Sequence, residues 1–311
     1  MDIYQSKWLA MKKSVFYLFV FLLLSACSTK QEPPIIQMSE QINNLLVKNQ
    51  GTFAVAFEDL TTGDTLLVNA HEQFHAASTM KTPVMIELYK QAHEGKFALE
   101  DSIEVKNTFM SIVDGSPYTM DVSVDSETML YDNIGKKLPI STLLYEMITK
   151  SSNLATNILI EKVGAKNVTA TMRALGAPDI NVLRGVEDQK AFDRGLNNTT
   201  TAYDLMKIFE AIGKHQIISG EACDAMTKIL FDQHFNEIIP AKLPADVKIA
   251  HKTGSITGVQ HDSGIVVLPN GHKYVLVLLS KDLQDADKGI EVLAEVSKLV
   301  YNYAVAEKDA R

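Results

Sequence analysis

Cysteine is nearly absent: the 311 residues contain two, Cys27 and Cys223. Cys27 falls at the end of a leader, so Cys223 stands alone in the globular part. A lone thiol cannot close an internal disulfide, and no disulfide framework can hold this fold. Cys223 sits in a helical pattern with no basic cluster beside it, which marks a small packing residue rather than a nucleophile. Tryptophan is scarcer still, with Trp8 its one instance, also in the leader. Positive charge is in deficit, 30 basic against 38 acidic residues for a net charge of −8. No basic stripe with interleaved aromatics occurs, so nucleic acid is not an expected partner. Zinc-like ligand spacing is missing: His71 and His75 are four apart, but no third ligand follows them. Neither a metal nor a cofactor is expected. Internal repeats and low-complexity tracts are missing too.

Long apolar runs are also lacking. The longest, Val15 to Leu24, is too short to span a bilayer as an ordinary anchor. It follows a positive patch, Met11-Lys12-Lys13, and ends in Leu24-Ser25-Ala26-Cys27. This order is that of a targeting segment, not of a folded element. It resembles a bacterial lipoprotein signal, and the resemblance implies lipidation at Cys27. Residues 1–27 are then a leader, with residues 1–10 preceding a better start at Met11, and residues 28–37, with Pro33-Pro34, form a tether. The expected location is the bacterial cell envelope, with the protein facing the periplasm and held to a membrane by its lipid.

The whole chain is 46% hydrophobic, and what remains after the leader and tether, residues 38–307, is long enough for one large domain or two intimately packed ones. Ile35 to Val47 has helical spacing. Thr52 to Asp59 and Thr65 to Asn69 alternate as strands about a Thr61-Thr62-Gly63-Asp64 turn. A mainly helical stretch runs from Ser78 to about Phe231, broken by a polar surface excursion near Phe109 to Lys137. Strand patterns return at Val247 to Lys252, Ile265 to Leu268 and Tyr274 to Leu279, and a helix from Asp285 to Ala304 ends the domain. Strands at both ends and helices between them predict an α/β fold. Its antiparallel sheet is built from N- and C-terminal strands flanked by helices, with an all-α domain inserted. The expected partition is residues 38–72 and 240–307 for the α/β part and 73–239 for the all-α part.

Three short strings carry the chemistry: Ser78-Thr79-Met80-Lys81, Ser151-Ser152-Asn153 and Lys252-Thr253-Gly254. Residues three apart share a helix face, so Lys81 lies beside Ser78. A serine hydroxyl is a weak nucleophile until a base takes its proton. Lysine serves as that base only if burial or nearby positive charge lowers its pKa. A Ser-x-x-Lys arises by chance about once in a chain this long, and a Lys-Thr-Gly in about one such chain in fifteen. Their order and context are what distinguish them: Ser78 opens an apolar helix pattern, Ser151 ends one amphipathic segment, and Lys252 ends a strand pattern.

In these strings the chain resembles the penicillin-recognising serine acyl-transferases, and over nearly all of residues 38–305 it resembles class A β-lactamases. The resemblance implies that Ser78 is the nucleophile and that its N–H and that of Ser255 receive the oxyanion. It makes Lys81 the acylation base or part of its proton network, and Ser151 a proton shuttle. Asn153 would hold Lys81 and the substrate amide. Lys252, Thr253, Gly254 and Ser255 would bind the carboxylate shared by β-lactams and acyl-D-Ala-D-Ala. Ser152 stands where aspartate is usual, which implies altered local hydrogen bonding. The family's Ω-shaped loop carries Arg-x-Glu-x-x-Leu-Asn; here the matching stretch is Arg184-Gly185-Val186-Glu187-Asp188, with Leu196-Asn197 only later and a threonine run at 199–201. Glu187 is the first choice for the acid that activates water, and Asp188 the second. A monomeric serine β-lactamase is the leading expectation. A penicillin-binding DD-peptidase or related cell-wall hydrolase is the alternative, and a non-catalytic envelope-binding lipoprotein the outside one. His251 is expected to pack behind the site, and His272 to lie in solvent.

Overall fold

A computed structural model of the chain describes residues 33–309. The leader, Cys27 and half of the expected tether, residues 28–32, lie outside the described residues, and the rest of it is not a tether, since a helix begins at Pro34. The first helix, α1 (Pro34–Leu46), begins on a proline, whose fixed φ suits a first turn and whose missing N–H is not needed there. It buries Met38, Ile42 and Leu46, a stripe spaced by four. β1 (Thr52–Asp59) and β2 (Thr65–Val68) follow as an antiparallel hairpin.

The other sheet strands come from the far end of the chain: β3 (Lys248–Ile256), β4 (Val259–Val267) and β5 (Lys273–Lys281). The order is β2-β1-β5-β4-β3, antiparallel throughout. N- and C-terminal segments meet where β1 pairs with β5, from Thr52 opposite Lys281 to Asp59 opposite Tyr274. The three C-terminal strands are longer than the sequence pattern indicated, whereas β1 has the expected bounds and β2 ends one residue early. In particular, β3 does not stop at Lys252 but carries Lys252-Thr253-Gly254-Ser255 as ladder residues, with Ser263 opposite Lys252 and Gln260 opposite Ser255. The cause is the tight Thr257-Gly258 connection, which lets polar residues pair right up to the hairpin.

Both faces of the sheet are covered, so its central strands are buried on both sides. On β1, Phe53, Val55 and Phe57 point to one face and Ala54 and Ala56 to the other. The first face packs against α1 and the C-terminal helix α9 (Ala286–Asp309). The second takes α7 (Ala202–Gly213), and small side chains there let a helix approach closely.

The remaining helices gather around α2 (Lys81–His93). They are α3 (Ile140–Thr149), α4 (Asn153–Val163), α5 (Ala165–Ala174) and α8 (Gly220–Phe231), while the short α6 (Gln189–Asp193) belongs to the loop that follows Arg184. α2 is buried nearly all round, from Lys81 through Leu88, as a central helix must be. Cys223 is buried in α8, its thiol directed at the Ile217 carbonyl 3.2 Å away, and burial raises its pKa. The 109–137 excursion holds a small hairpin, Phe109–Met110 with Pro117–Tyr118, and two short 3₁₀ turns. It is not only surface: Val124 and Ser126 reach the cleft between the helices and the edge strand β3.

Candidate active site

Ser78 does not start an α-helix. It lies in a 3₁₀ turn, Ala77–Met80, which runs into α2 at Lys81. A 3₁₀ turn has three residues, so positions three apart eclipse, and Ser78 and Lys81 share one side of it. The entry to the turn is held from two directions. Phe74–His75 pairs with Thr199–Thr200, and the Ala76 N–H donates to the Asn198 carbonyl at 2.8 Å. The Ala77 N–H donates to His75 Nδ1 at 3.0 Å. From the sheet side, Gly254 lies against the turn: a Cβ there would stand 3.1 Å from the amide nitrogens of both Ser78 and Thr79. The glycine of Lys-Thr-Gly therefore lets β3 press its edge against the serine.

Lys81 is fully buried and donates to three oxygens: the Ser151 carbonyl at 2.6 Å, Ser151 Oγ at 3.1 Å and Asn153 Oδ1 at 2.9 Å. Lys252, equally buried, donates to the same Ser151 Oγ at 3.1 Å and to the Thr253 carbonyl at 2.9 Å. Ser151 thus stands between two lysines. Burial lowers the Lys81 pKa to about 7, although Asp125 and Glu187 favour its ammonium form. Burial pushes Lys252 down as well, Lys81 adds to that effect, and Asp262 opposes it. The three contacts of Lys81 Nζ match the three hydrogens of an ammonium. A pKa of about 7 lets it release one of them near neutral pH, which leaves a lone pair that can take a proton.

The loop bearing Glu187 is closed at its neck by Asn198, whose side chain accepts from the Leu183 and Arg184 N–H groups and donates to the Arg184 carbonyl. The Arg184 guanidinium spans the neck to the Leu196 carbonyl and Asn197 Oδ1. Asn157, on α4, holds the next turn: its Oδ1 accepts from the Val186 N–H at 2.7 Å and its Nδ2 donates to the Val186 carbonyl at 3.0 Å. Glycine is required at 185, because a Cβ would stand 2.3 Å from Asn157 Oδ1. The chain then turns at Glu187 with φ of 60°, and its carboxylate accepts from Asn153 Nδ2 at 2.8 Å. Asn153 therefore bridges Lys81 and Glu187. Burial raises the Glu187 pKa. The Asn153 hydrogen bond opposes this, Asp125 adds to it, and Lys81 opposes it.

Asp188, the second choice for the acid, is a structural residue instead. It caps α6 at the Ala191 N–H and accepts from the Ser111 hydroxyl at 2.9 Å and the Ile112 N–H at 2.9 Å. With both oxygens so occupied it tethers the loop to the 109–137 excursion. Ala77, Ser151 and Glu187 all take left-handed backbone (φ of 43°, 58° and 60°), which costs a non-glycine residue about 1–3 kcal/mol each. All three belong to the cleft, where the surrounding contacts hold them in place.

Two cavities of about 410 Å³ each meet at Ser78, Asn153 and Ser255. The first is bounded by the loop and the end of β3, with His75, Val186, Glu187, Phe192, Ile256 and Thr257. The second lies over Ser126, Ser151, Phe235, Glu237, Thr253 and Gly254. Lys252 is buried beside this cavity, with its Nζ on Ser151 Oγ and the Thr253 carbonyl, and Ser151, Thr253 and Ser255 line the cavity itself.

The sequence alone did not single out several residues that build this site. Asn157, four residues after Asn153 on α4, carried a legible signal, since residues four apart share a face. Asp125 and Ser126 carried none, because they come from the polar excursion. His251 lies on β3 behind Lys252, buried against Asp262 with Nδ1 2.9 Å from the carboxylate. His272 is not in solvent: its Nε2 is 2.7 Å from the buried Asp59 carboxylate, which also receives the Thr61 and Thr62 N–H groups at the hairpin. His71 stacks on Tyr203, with ring centroids 4.5 Å apart. Among the described residues no group of three or more His, Cys, Asp or Glu is placed to hold a metal ion.

Comparison with known proteins agrees with this geometry. The model of the β-lactamase enzyme family matches residues 37–304. β-Lactamase VEB-1 of Pseudomonas aeruginosa is 24% identical over 275 residues, 85% of this chain and 89% of that protein. Among solved structures, the β-lactamase of Sphaerobacter thermophilus superposes with a TM-score of 0.74 at 26% identity, covering 86% of this chain and 97% of its own. A mutant of PBP-A, solved as its acyl-enzyme complex with penicillin G, superposes with a TM-score of 0.76 at 28% identity, covering 89% and 98%. The paired lysines about Ser151, the serine turn pressed by Gly254 and a family match running almost the whole length of the fold lead to one assignment: the chain belongs to the β-lactamase enzyme family.

Proposed function

We infer that the chain is a serine β-lactamase, which opens the β-lactam amide through an acyl-Ser78 intermediate. The observation that carries this reading is the shared position of Ser151 Oγ, 3.1 Å from both Lys81 and Lys252, with Asn153 joining Lys81 to Glu187. In acylation, Ser78 Oγ attacks the lactam carbonyl carbon and its proton passes to neutral Lys81. The N–H groups of Ser78 and Ser255 receive the oxyanion. Ser151 then passes a proton to the leaving nitrogen as the C–N bond breaks. The substrate carboxylate lies on Thr253, Gly254 and Ser255 in the field of Lys252. In deacylation, Glu187 takes a proton from water as the water attacks the ester, and Ser78 leaves with a proton returned through Lys81.

We propose that this activity sits at the cell envelope, a reading supported by the lipoprotein-like end of the apolar run, Leu24-Ser25-Ala26-Cys27. There a Cys27-anchored enzyme facing the periplasm meets antibiotic before it reaches cell-wall enzymes. A second reading, a penicillin-binding DD-peptidase, has two observations in its favour: the likeness to PBP-A, and a Glu187 spaced one residue further from Arg184 than the family's pattern. One measurement decides between them. Purified protein mixed with nitrocefin should turn over many equivalents, with no adduct persisting by intact-protein mass spectrometry. A stoichiometric burst ending in a stable adduct on Ser78 would replace the β-lactamase reading with the peptidase, and neither burst nor turnover would overturn both.

A further inference from the structure

The middle residue of Ser151-Ser152-Asn153 is a serine, and one hydroxyl cannot satisfy the start of a helix alone. The first N–H groups of α4 have no partners within the helix. Ser152 Oγ accepts from one of them, Ala155, at 3.2 Å. The N–H groups of Asn153 and Leu154 are met from elsewhere in the chain. Asp125 Oδ1 and Oδ2 lie 3.0 and 3.1 Å from the Asn153 nitrogen, and Oδ2 lies 2.9 Å from the Leu154 nitrogen. Asp125 is buried, and the Tyr131 hydroxyl at 2.9 Å and the Glu127 N–H at 3.2 Å fix its carboxylate. The residue it holds joins two sides of the cleft. Asn153 hands its oxygen to Lys81 and its amide hydrogen to Glu187, so a tilt of its backbone moves both contacts at once. A neutral hydroxyl in the centre of the motif is thus matched by a buried carboxylate arriving from the 109–137 excursion.

We propose that Asp125 is the positioning carboxylate of this active site, doing from the excursion what an aspartate at position 152 would do from within the motif, and so setting Asn153 between Lys81 and Glu187. The proposal rests on the acyl-Ser78 reading above. Asp125 touches neither substrate nor reacting atoms in this scheme; it acts through Asn153. Its negative charge also lies near enough to favour the ammonium form of Lys81 and to disfavour ionisation of Glu187. Its removal therefore alters the site's charge as well as its geometry.

The test is relocation of the carboxylate. Asp125→Asn, Asp125→Ser and the double variant Asp125→Ser with Ser152→Asp are compared with wild type in pre-steady-state labelling of Ser78 by a fluorescent penicillin, alongside thermal melting. The single variants should acylate about ten- to a hundredfold more slowly, the loss expected when a catalytic group is displaced by an ångström or less. Saturation should change less than the limiting rate. The double variant should regain the rate to within a few-fold. Wild-type labelling together with an undiminished rate in Asp125→Asn would overturn the proposal while leaving the acyl-serine reading intact. Recovery of melting temperature without recovery of rate in the double variant would also overturn it, because Asp125 would then be a stability element only. If the single variants do not fold, the double variant decides: folded and fast supports the proposal, folded and slow or still unfolded refutes it. Wild type that takes no label at all removes the acyl-serine reading and this proposal with it.

Discussion

Replacing Glu187 by glutamine separates the two half-reactions. The side chain keeps its length, and its Oε1 can still accept from Asn153 Nδ2, which stands 2.8 Å from the native carboxylate. The left-handed backbone at 187 is no harder for glutamine than for glutamate. What is lost is the ability to take a proton from water. A positioned general base contributes about two to four orders of magnitude in rate, which corresponds to roughly 3–5 kcal/mol of barrier. Acylation uses Lys81 and Ser151 and should persist, so the acyl-enzyme should accumulate. Rapid-quench intact-protein mass spectrometry with benzylpenicillin should show a full adduct, and nitrocefin turnover should fall by the same two to four orders.

The pH dependence adds a second check on the same variant. Burial is the main reason the Glu187 pKa is raised, so the wild-type deacylation rate should climb with pH through a limb above the ordinary carboxylate range. The glutamine variant should lack that limb. Stability should move the other way. A carboxyl whose pKa is higher folded than unfolded binds more protons in the native state, so it costs stability as pH rises through that window. Glutamine removes the cost, and the variant should melt no lower than wild type at neutral pH. A variant that turns over at the wild-type rate, or one whose acid limb is unchanged, would refute the role assigned to Glu187 and leave it a loop acid like Asp188.

Ser78→Ala should abolish labelling by a fluorescent penicillin and cut turnover by about six orders of magnitude, while circular dichroism stays native; an undiminished label would place the nucleophile elsewhere. The acylation rate should rise with pH about a midpoint near 7, where Lys81 loses its proton, and a flat profile from pH 5 to 9 would exclude Lys81 as the base. Gly185→Ala puts a methyl 2.3 Å from Asn157 Oδ1 and should destabilise by about 1–3 kcal/mol in urea titration, with deacylation slowed more than acylation. Equal effects on the two steps would break the proposed link from Asn157 to Glu187. Cys27→Ala should move the protein from the membrane to the soluble fraction, since several acyl chains on one cysteine anchor firmly where a single chain does not; unchanged fractionation would remove the lipid anchor.

How much of this was legible in the sequence follows from which interactions are local. Ser78 with Lys81, and the β1–β2 hairpin, rest on spacings of a few residues, and those could be read directly. The extent of β3 could not, because Lys252 to Ser255 are strand residues only by virtue of their partners on β4, and a polar run carries no hydrophobic alternation to announce it. His272 was misplaced for a related reason: a histidine beside a turn is ordinarily solvated, and only the pairing of β1 with β5 brings the Asp59 carboxylate to it. The roles of Glu187 and Asp188 were separable in principle. An acid followed three residues later by a helical N–H is a cap, and Asp188 precedes the short α6 by one residue. Asp125 lay furthest from view. Nothing in the local pattern of a polar loop says that one of its buried carboxylates will meet a helix start 28 residues on. What the motif did disclose was a departure, a serine where the family's pattern has an aspartate; its hydroxyl caps one N–H but brings no second oxygen for the others. A buried helix terminus with too few acceptors must find one elsewhere in the fold. The departure of Ser152 from the family pattern was therefore a pointer to a partner rather than a defect, and the fold supplies that partner from the segment that looked least functional.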